Sequence, residues 1–392
     1  MDIHSIIPNY QNLPMPAPVW LLELLLVLGF FLHVVPMNVS LGGSFLAPVF
    51  LFFGRNNHDS NIYQLGRRLA YSLPIFISFA ITQGIVPLLF IQLLYGPMFY
   101  TASVLIAVPW ISILFLLLIS YYITYIVIYR YLNVQTHEKA SADTKAIILL
   151  FIGFLGFLTI AFLFTNNTTL MLTPQKWLAM YTAHPTGLNL NLGEPQLIAR
   201  YSHFVLAAIA VAGLAVAGLG AYRVDNQDEF SKFAIKLGSR IFLSVTLLQI
   251  PVGVWFLFSI PHDIMVNFMG QDKISTLVFS LAMLLALLAL LASSLASFSG
   301  SVKAYYAELT IGLSVVLAMI INRHELRSFY FQDLIKPELV PVKMQWDLII
   351  IFSISAIGLI YYFYWLSHLV WNAFHQKQQL KIIEEVNHGK SI

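Results

Sequence analysis

The stretch Glu194–Gly220, EPQLIARYSHFVLAAIAVAGLAVAGLG, is long enough to cross a bilayer, yet it carries Arg200 and His203 in its opening turns. An ionisable side chain near the start of a membrane span needs a partner or a role. The rest of the chain has the same character. It has 392 residues, of which 59% are hydrophobic and only 10% charged, and its mean hydropathy is +0.79. Soluble domains carry roughly 25% charged residues, so the composition is that of an integral membrane protein. A net charge of +3 is too small to imply nucleic acid as a partner, and the basic residues serve topology instead. There are no cysteines, which excludes disulfides, thiolate-held iron–sulfur clusters and covalent c-type heme. A redox cofactor would have to be held noncovalently, by His, Met or similar ligands. The N-terminal segment has no basic n-region and does not read as a cleaved signal peptide.

A bilayer core of about 30 Å needs roughly 20 apolar residues of helix. On that criterion about nine spans are expected, in a single polytopic membrane domain. They run near Pro18–Phe53, Leu69–Leu94, Phe99–Tyr131, Lys145–Phe164, Leu197–Tyr222, Leu237–Ile260, Ile274–Ser299, Tyr305–Ile321 and Trp346–Phe374. Pro36 and Pro109 are candidate kinks in the two longest runs. Lys and Arg are more numerous in one alternating set of loops, which includes Arg55, Arg67, Arg68, Arg130, Lys139 and Lys232. The positive-inside rule then places the N-terminus outside and the C-terminus in the cytoplasm. The main outer segments become Thr165–Gln196, Pro261–Lys273 and Asn322–Gln345.

His58, His137, His375 and His388 fall in loops or the tail and read as surface. His33 and His203 lie inside spans, and His324 sits at the outer end of the eighth. At 1.5 Å per residue, His203 is roughly 9 Å and His33 roughly 20 Å below the outer boundary. The plain reading of such a histidine is a hydrogen bond to a neighbouring helix. The sharper reading is an axial ligand to heme iron. The Ala207, Ala208, Ala212, Gly213, Gly218 face reads first as close helix packing, and the Gly42–Gly43 pair as room for a cofactor near His33. Arg200, one turn before His203, either sits at the interface or pairs with a heme propionate. Glu23 and Glu308 are the acids near span ends. Snorkelling is the plain reading for both; Glu308 is also the candidate for proton entry.

Three segments together resemble subunit I of the cytochrome bd-type quinol oxidases. LHVVPMNVSLGGSFLAPVF, Leu32–Phe50, has a histidine, a following proline (Pro36) and a glycine nine residues after the histidine (Gly42). IARYSHFVLAAIAVAGLAVAGLGAY, Ile198–Tyr222, has the basic residue, two residues, histidine and small-residue run of that family's fifth span. KFAIKLGSRIFLSVTLL, Lys232–Leu248, is similar to its entry into span six. The resemblance implies nine spans with the N-terminus outside, His33 as a heme ligand in the first span and His203 as the ligand of a low-spin heme b.

The departures from that pattern shape the expected function. The long outer loop that helps bind quinol is reduced to Pro261–Lys273. The third span has no acidic residue. At the end of span eight, HELRSFY replaces the family's Glu-x-Gly-Arg-Gln-Pro-Trp, so His324 and Arg327 occupy its Glu and Arg places. His324 is therefore a further candidate heme ligand. The family's methionine ligand has no clear match: Met283, His184 and His262 are the candidate second ligands. The expectation is a bacterial inner-membrane b-type cytochrome of a respiratory chain, with two or more hemes. It passes electrons between a quinone pool and an outer-surface partner. That partner is a c-type cytochrome or another redox subunit docking near Thr165–Gln196 and Asn322–Gln345, and a second membrane subunit is a further candidate partner. The alternatives are a bd-type quinol oxidase that reduces oxygen, and a heme-free transporter or assembly subunit.

Overall fold

Apolar sequence without charge for 18 residues or more leaves the backbone one way to satisfy its polar groups in lipid, which is to hydrogen-bond within itself as a helix. The computed structural model describes residues 14–132, 139–222 and 229–359, with 361–362, 364–365 and 368 beyond them. Among the described residues, eight helices are long and apolar enough to cross a membrane. They are α1 (Val19–Gly54), α2 (Asn61–Leu105), α3 (Ala107–Ile126), α4 (Lys139–Met171), α5 (Pro195–Ala221), α6 (Glu229–Ser259), α7 (Lys273–Ser299) and α8 (Val302–Phe331). A π-helical turn, Val127–Leu132, extends α3. The protein is an all-helical, multi-pass membrane protein.

Helix ends follow local chemistry. Ser60 caps α2 by accepting from the Tyr63 amide, and Asp272 caps α7 by accepting from the Ser275 amide at 2.8 Å, both satisfying an orphan donor. Gly300 closes α7 with φ 65°, a left-handed conformation that costs glycine little. The second and third expected spans part at a kink inside α2, and α2 itself ends further on. Helix α2 runs through Leu94–Phe99 with a kink at Tyr95 (φ −130°, ψ 33°), ahead of Gly96–Pro97, where proline removes a helical hydrogen bond. The break comes at Ile106. Pro109 therefore stands in the first turn of α3, where proline is tolerated, and Pro36 lies within α1 without ending it.

The small residues seam the bundle together. A Cβ on Gly42 would run into the Ala208 carbonyl and Ala212 of α5, and one on Gly213 would lie 2.9 Å from the Phe242 amide of α6. Gly43 faces Leu73 and Leu69 of α2. The Gly42–Gly43 pair is thus filled by neighbouring helices rather than held open for a cofactor, because close backbone approach is what stabilises helix pairs in lipid.

The chain divides into two compact units. The first, which includes Trp20–Leu339, holds the eight long helices. The second comprises Asn12–Val19 and Val340–Ile392. In it the Met15 amide donates to Pro341 O and the Lys343 amide to Met15 O, both at 2.9 Å, and the apolar helix α9 (Trp346–Leu359) follows. The expected ninth span, Trp346–Phe374, coincides with α9 at its start; most of its later half lies outside the described residues. His137, His375 and His388 lie outside them too.

Candidate functional site

His33 is fourteen residues into α1 and faces α2. Its Nδ1 lies 2.9 Å from the Ala80 carbonyl. A carbonyl only accepts, so Nδ1 carries the proton and donates, and Nε2 keeps its lone pair. That is the tautomer of a metal-ligating imidazole steadied from behind by backbone. Gly84 makes room for the ring, since a Cβ there would stand 2.9 Å from His33 Cε1.

His203 lies between α5 and α6. Its ring faces Gly253, where a Cβ would be 3.4 Å from Cε1, and Phe256, whose centroid is 6.3 Å away. Its Nδ1 is buried without a hydrogen-bond partner. Arg200 is 2% exposed and sits over Phe256, 5.0 Å from the ring centre.

A polar chain reaches Arg200 from the α4–α5 connection. Lys176 Nζ donates to Glu194 Oε2 at 2.7 Å. Gln196 Nε2 donates to Glu194 Oε1 and to Tyr330 Oη, and Arg200 Nη2 donates to Gln196 Oε1 at 2.7 Å. Glu194 is thereby neutralised by Lys176, so Arg200 has only a neutral amide as acceptor and its Nε has none.

Helix α8 brings two more guanidiniums to the same place. Arg323 and Arg327 are four residues apart and so share a helix face. With Arg200, Ile91, Thr168, Met171 and Leu172 they line one small pocket. The Nε atoms of all three arginines are buried and unpartnered. Arg323 also lies over Phe30 of α1, 4.3 Å from its centre, and near Phe204 of α5 at 6.0 Å. Phe30 is beside His33, with ring centres 6.2 Å apart, and Phe204 is next to His203 in sequence. Arg323 thus stands between the surroundings of the two intramembrane histidines.

His324 is engaged otherwise. Arg327 Nη2 lies 2.8 Å from its Nδ1, and guanidinium only donates, so Nδ1 accepts and Nε2 holds the proton. Nε2 faces Glu23 Oε1 at 3.7 Å. In this arrangement neither ring nitrogen offers iron a free lone pair. His184 and His262 are exposed on connections. Met283, 38% exposed, faces an open groove with Phe279 and Leu287. Among the described residues these three are not part of the arginine pocket. Glu308 is also remote, sixteen residues before His324, or roughly 24 Å along α8.

Heme is an iron centre with two carboxylate arms, and the residues present fit it. Two histidines sit within the apolar helices, one of them with Nε2 left as an acceptor, and three arginines have a buried Nε without a partner. Sequence reading missed Arg323, Gln196, Gly84 and Gly253. The i, i+4 spacing of Arg323 and Arg327 was the available signal for the first.

The fold and this pocket define a bundle of membrane-spanning helices that carries His33 and His203 within its helices and an arginine-lined pocket. The particular likeness is to a bd oxidase. A chain in the structure of bd oxidase from Geobacillus thermodenitrificans matches with a TM-score of 0.71, over 89% of this chain and 96% of that one, at 13% identity. At that identity the likeness shows the fold, and it bears out the resemblance read from the three sequence segments. No family model matches the sequence, and no curated protein does.

Proposed function

We propose that the protein is a membrane-bound b-type cytochrome that carries electrons between the quinone pool and a redox partner at the outer surface. The observation that carries this reading is the convergence of Arg200, Arg323 and Arg327, their Nε atoms unpartnered, on one pocket beside two intramembrane histidines. Among the described residues no carboxylate forms an ion pair with any of the three guanidiniums; taking a charge out of water costs several kcal/mol per ion, and heme propionates are the anions that such a pocket suits. His33 and His203 would be axial ligands, with Ala80 orienting the first. Bound heme would supply reversible one-electron transfer. The protein's part is to fix the ring tautomer, compensate the propionates and keep water from the iron. Arg200, held by Gln196, and Arg327, held by His324, are pre-oriented donors. His324 then acts as a positioning residue for Arg327, and Glu23 helps hold it.

The positive-inside pattern puts the arginine pocket at the outer side of a bacterial inner membrane, under Thr165–Gln196, where a c-type cytochrome would dock. The second reading, a quinol oxidase that reduces oxygen, is favoured by the fold shared with a bd oxidase. Against it stands α3, which carries no acidic residue; its Ser112 and Thr124 bond back to their own helix, Ser120 packs against α4, and its hydrogen-bonded pair Tyr121 and Tyr125 reaches only Ser78 of α2. Oxygen reduction needs protons at a buried site, and a proton path needs ionisable side chains or water. The test is a reduced-minus-oxidised visible spectrum of the purified protein, followed by oxygen uptake with quinol. A b-type signal without oxidase-like oxygen uptake is expected. Rapid quinol-driven oxygen uptake would replace this reading with the oxidase, and the absence of heme would leave a transporter or assembly subunit.

A further inference from the structure

Glu308 stands in the second turn of α8, at the opposite end of that helix from the arginine pocket. It is 0% exposed. Its Oε2 accepts a hydrogen bond from Ser239 of α6 at 2.6 Å, while Oε1 is buried with no partner. Snorkelling, the plain sequence reading, is therefore not what this carboxyl does. It points inward, between α6 and α8.

The surroundings offer no cation. On α6, Lys232 and Arg240 are exposed, and the Lys236 side chain lies along Gly300. On α8, Lys303 is exposed and Tyr305 is buried. The α5 stretch beside Tyr305 is Ala217–Gly218, small and uncharged. Among the described residues, no basic group pairs with Glu308. An ionised carboxylate with one hydroxyl donor and no counter-charge is among the most costly groups to bury. A neutral carboxylic acid in the same place lacks at most one hydrogen bond.

We propose that Glu308 and Ser239 form a proton-binding site in the half of the bundle away from the arginine pocket. Glu308 Oε1 takes one proton from a hydronium ion, forming an O–H bond, releasing a water molecule and leaving the site neutral, and it returns the proton to water by the reverse step. Ser239 donates to Oε2 throughout and orients the carboxyl. Tyr305 lies three residues before Glu308 on the same helix face. Its hydroxyl packs against Gly218, 2.7 Å from where a Cβ would stand, between Glu308 and the near end of α8. It is buried and makes no hydrogen bond to the carboxyl, whose one partner is Ser239. The site is acid–base only and requires no heme, so it stands or falls separately from the electron-transfer reading.

Infrared spectroscopy of the full-length purified protein in lipid nanodiscs, recorded across a pH titration, tests it. Expected is a carboxylic-acid C=O band at neutral pH that is absent in Glu308→Gln, a near-isosteric change that keeps an acceptor for Ser239. Ser239→Ala should retain the band but shift it to higher frequency, because the carbonyl loses its donor. Equal thermal melts for the variants and the parent confirm that the bundle is intact. Identical bands in parent and Glu308→Gln overturn the proposal, as does a band indifferent to Ser239→Ala. A band that sodium bleaches at fixed pH overturns it too, by showing that the site takes a metal cation in place of a proton.

Discussion

Gly84→Ala tests the His33 assignment without touching the histidine. The new methyl would stand 2.9 Å from His33 Cε1 and 3.0 Å from Nδ1. Ordinary contact begins near 3.4 Å, so the ring has to move by several tenths of an ångström. It cannot do so and keep the 2.9 Å bond from Nδ1 to Ala80 O. Losing a neutral hydrogen bond costs about 0.5–1.5 kcal/mol. Where that bond orients a metal ligand, affinity falls about 10–100-fold, or about 1.4–2.7 kcal/mol. The assay is heme content per protein from reduced-minus-oxidised spectra during hemin titration. Gly193→Ala is the control, since nothing lies within 4 Å of a Cβ there. Full heme content and an unshifted spectrum in Gly84→Ala, with the control equally unchanged, would refute the reasoning and return His33 to the role of a packing histidine.

His203→Ala should abolish one low-spin heme signal while the protein still inserts in the membrane; an unchanged spectrum in a stable variant rules out ligation there. Arg323→Gln should weaken hemin binding about tenfold, the effect of losing roughly 1.4 kcal/mol, yet raise the melting temperature of the heme-free protein by relieving repulsion among the three arginines. Tighter binding or a lower melting temperature contradicts the pocket's assignment. Gly238→Leu should prevent assembly of α5 with α6, because even a Cβ there meets Gly213 O and Ala217; normal yield and melting would show that this seam is soft. Asp272 is held below its usual carboxyl range by the Ser275 amide. Its cap on α7 is therefore complete at neutral pH and lost as pH falls through that lowered value. The protection factor of the Ser275 amide, its exchange rate relative to the intrinsic rate at the same pH, should fall on acidification, and Asp272→Asn should remove that pH dependence.

The eight long helices were legible because a bilayer demands a long apolar run from any helix that crosses it. The α5 seam was legible too, as Ala and Gly at packing intervals have few other uses in lipid. Boundaries were less so. Leu94–Phe99, with Gly96–Pro97, reads as a loop; the chain does bend there, at Tyr95, but helical structure resumes beyond the kink and carries α2 on to Leu105. At the site, histidines and arginines announce themselves by their cost in a span, whereas Gly84 and Gly253 do not. A glycine in an apolar run looks the same whether it seats a ring or a helix. His58 was read as surface because it lies in a loop between charged residues. What holds it, half-buried, against α4 is Asp143, a residue distant in sequence that no local pattern links to it.

That contact bears on the order in which the protein is made. His58 Nε2 meets Asp143 Oδ2 at 2.6 Å, and Tyr63 Oη donates to Asp143 Oδ1 at 2.7 Å. Both partners belong to the first helical hairpin, and the carboxylate that joins them is synthesised 80 residues later than Tyr63. A nascent chain that has released α1, α2 and α3 therefore presents an open hairpin end, its loop still untied. The fourth helix ties it with its first turns, before its own apolar length is complete. A ribosome stalled between α3 and α4 would leave the Arg55–Ser60 loop cleavable by protease, and about one turn of helix beyond Asp143 would protect it.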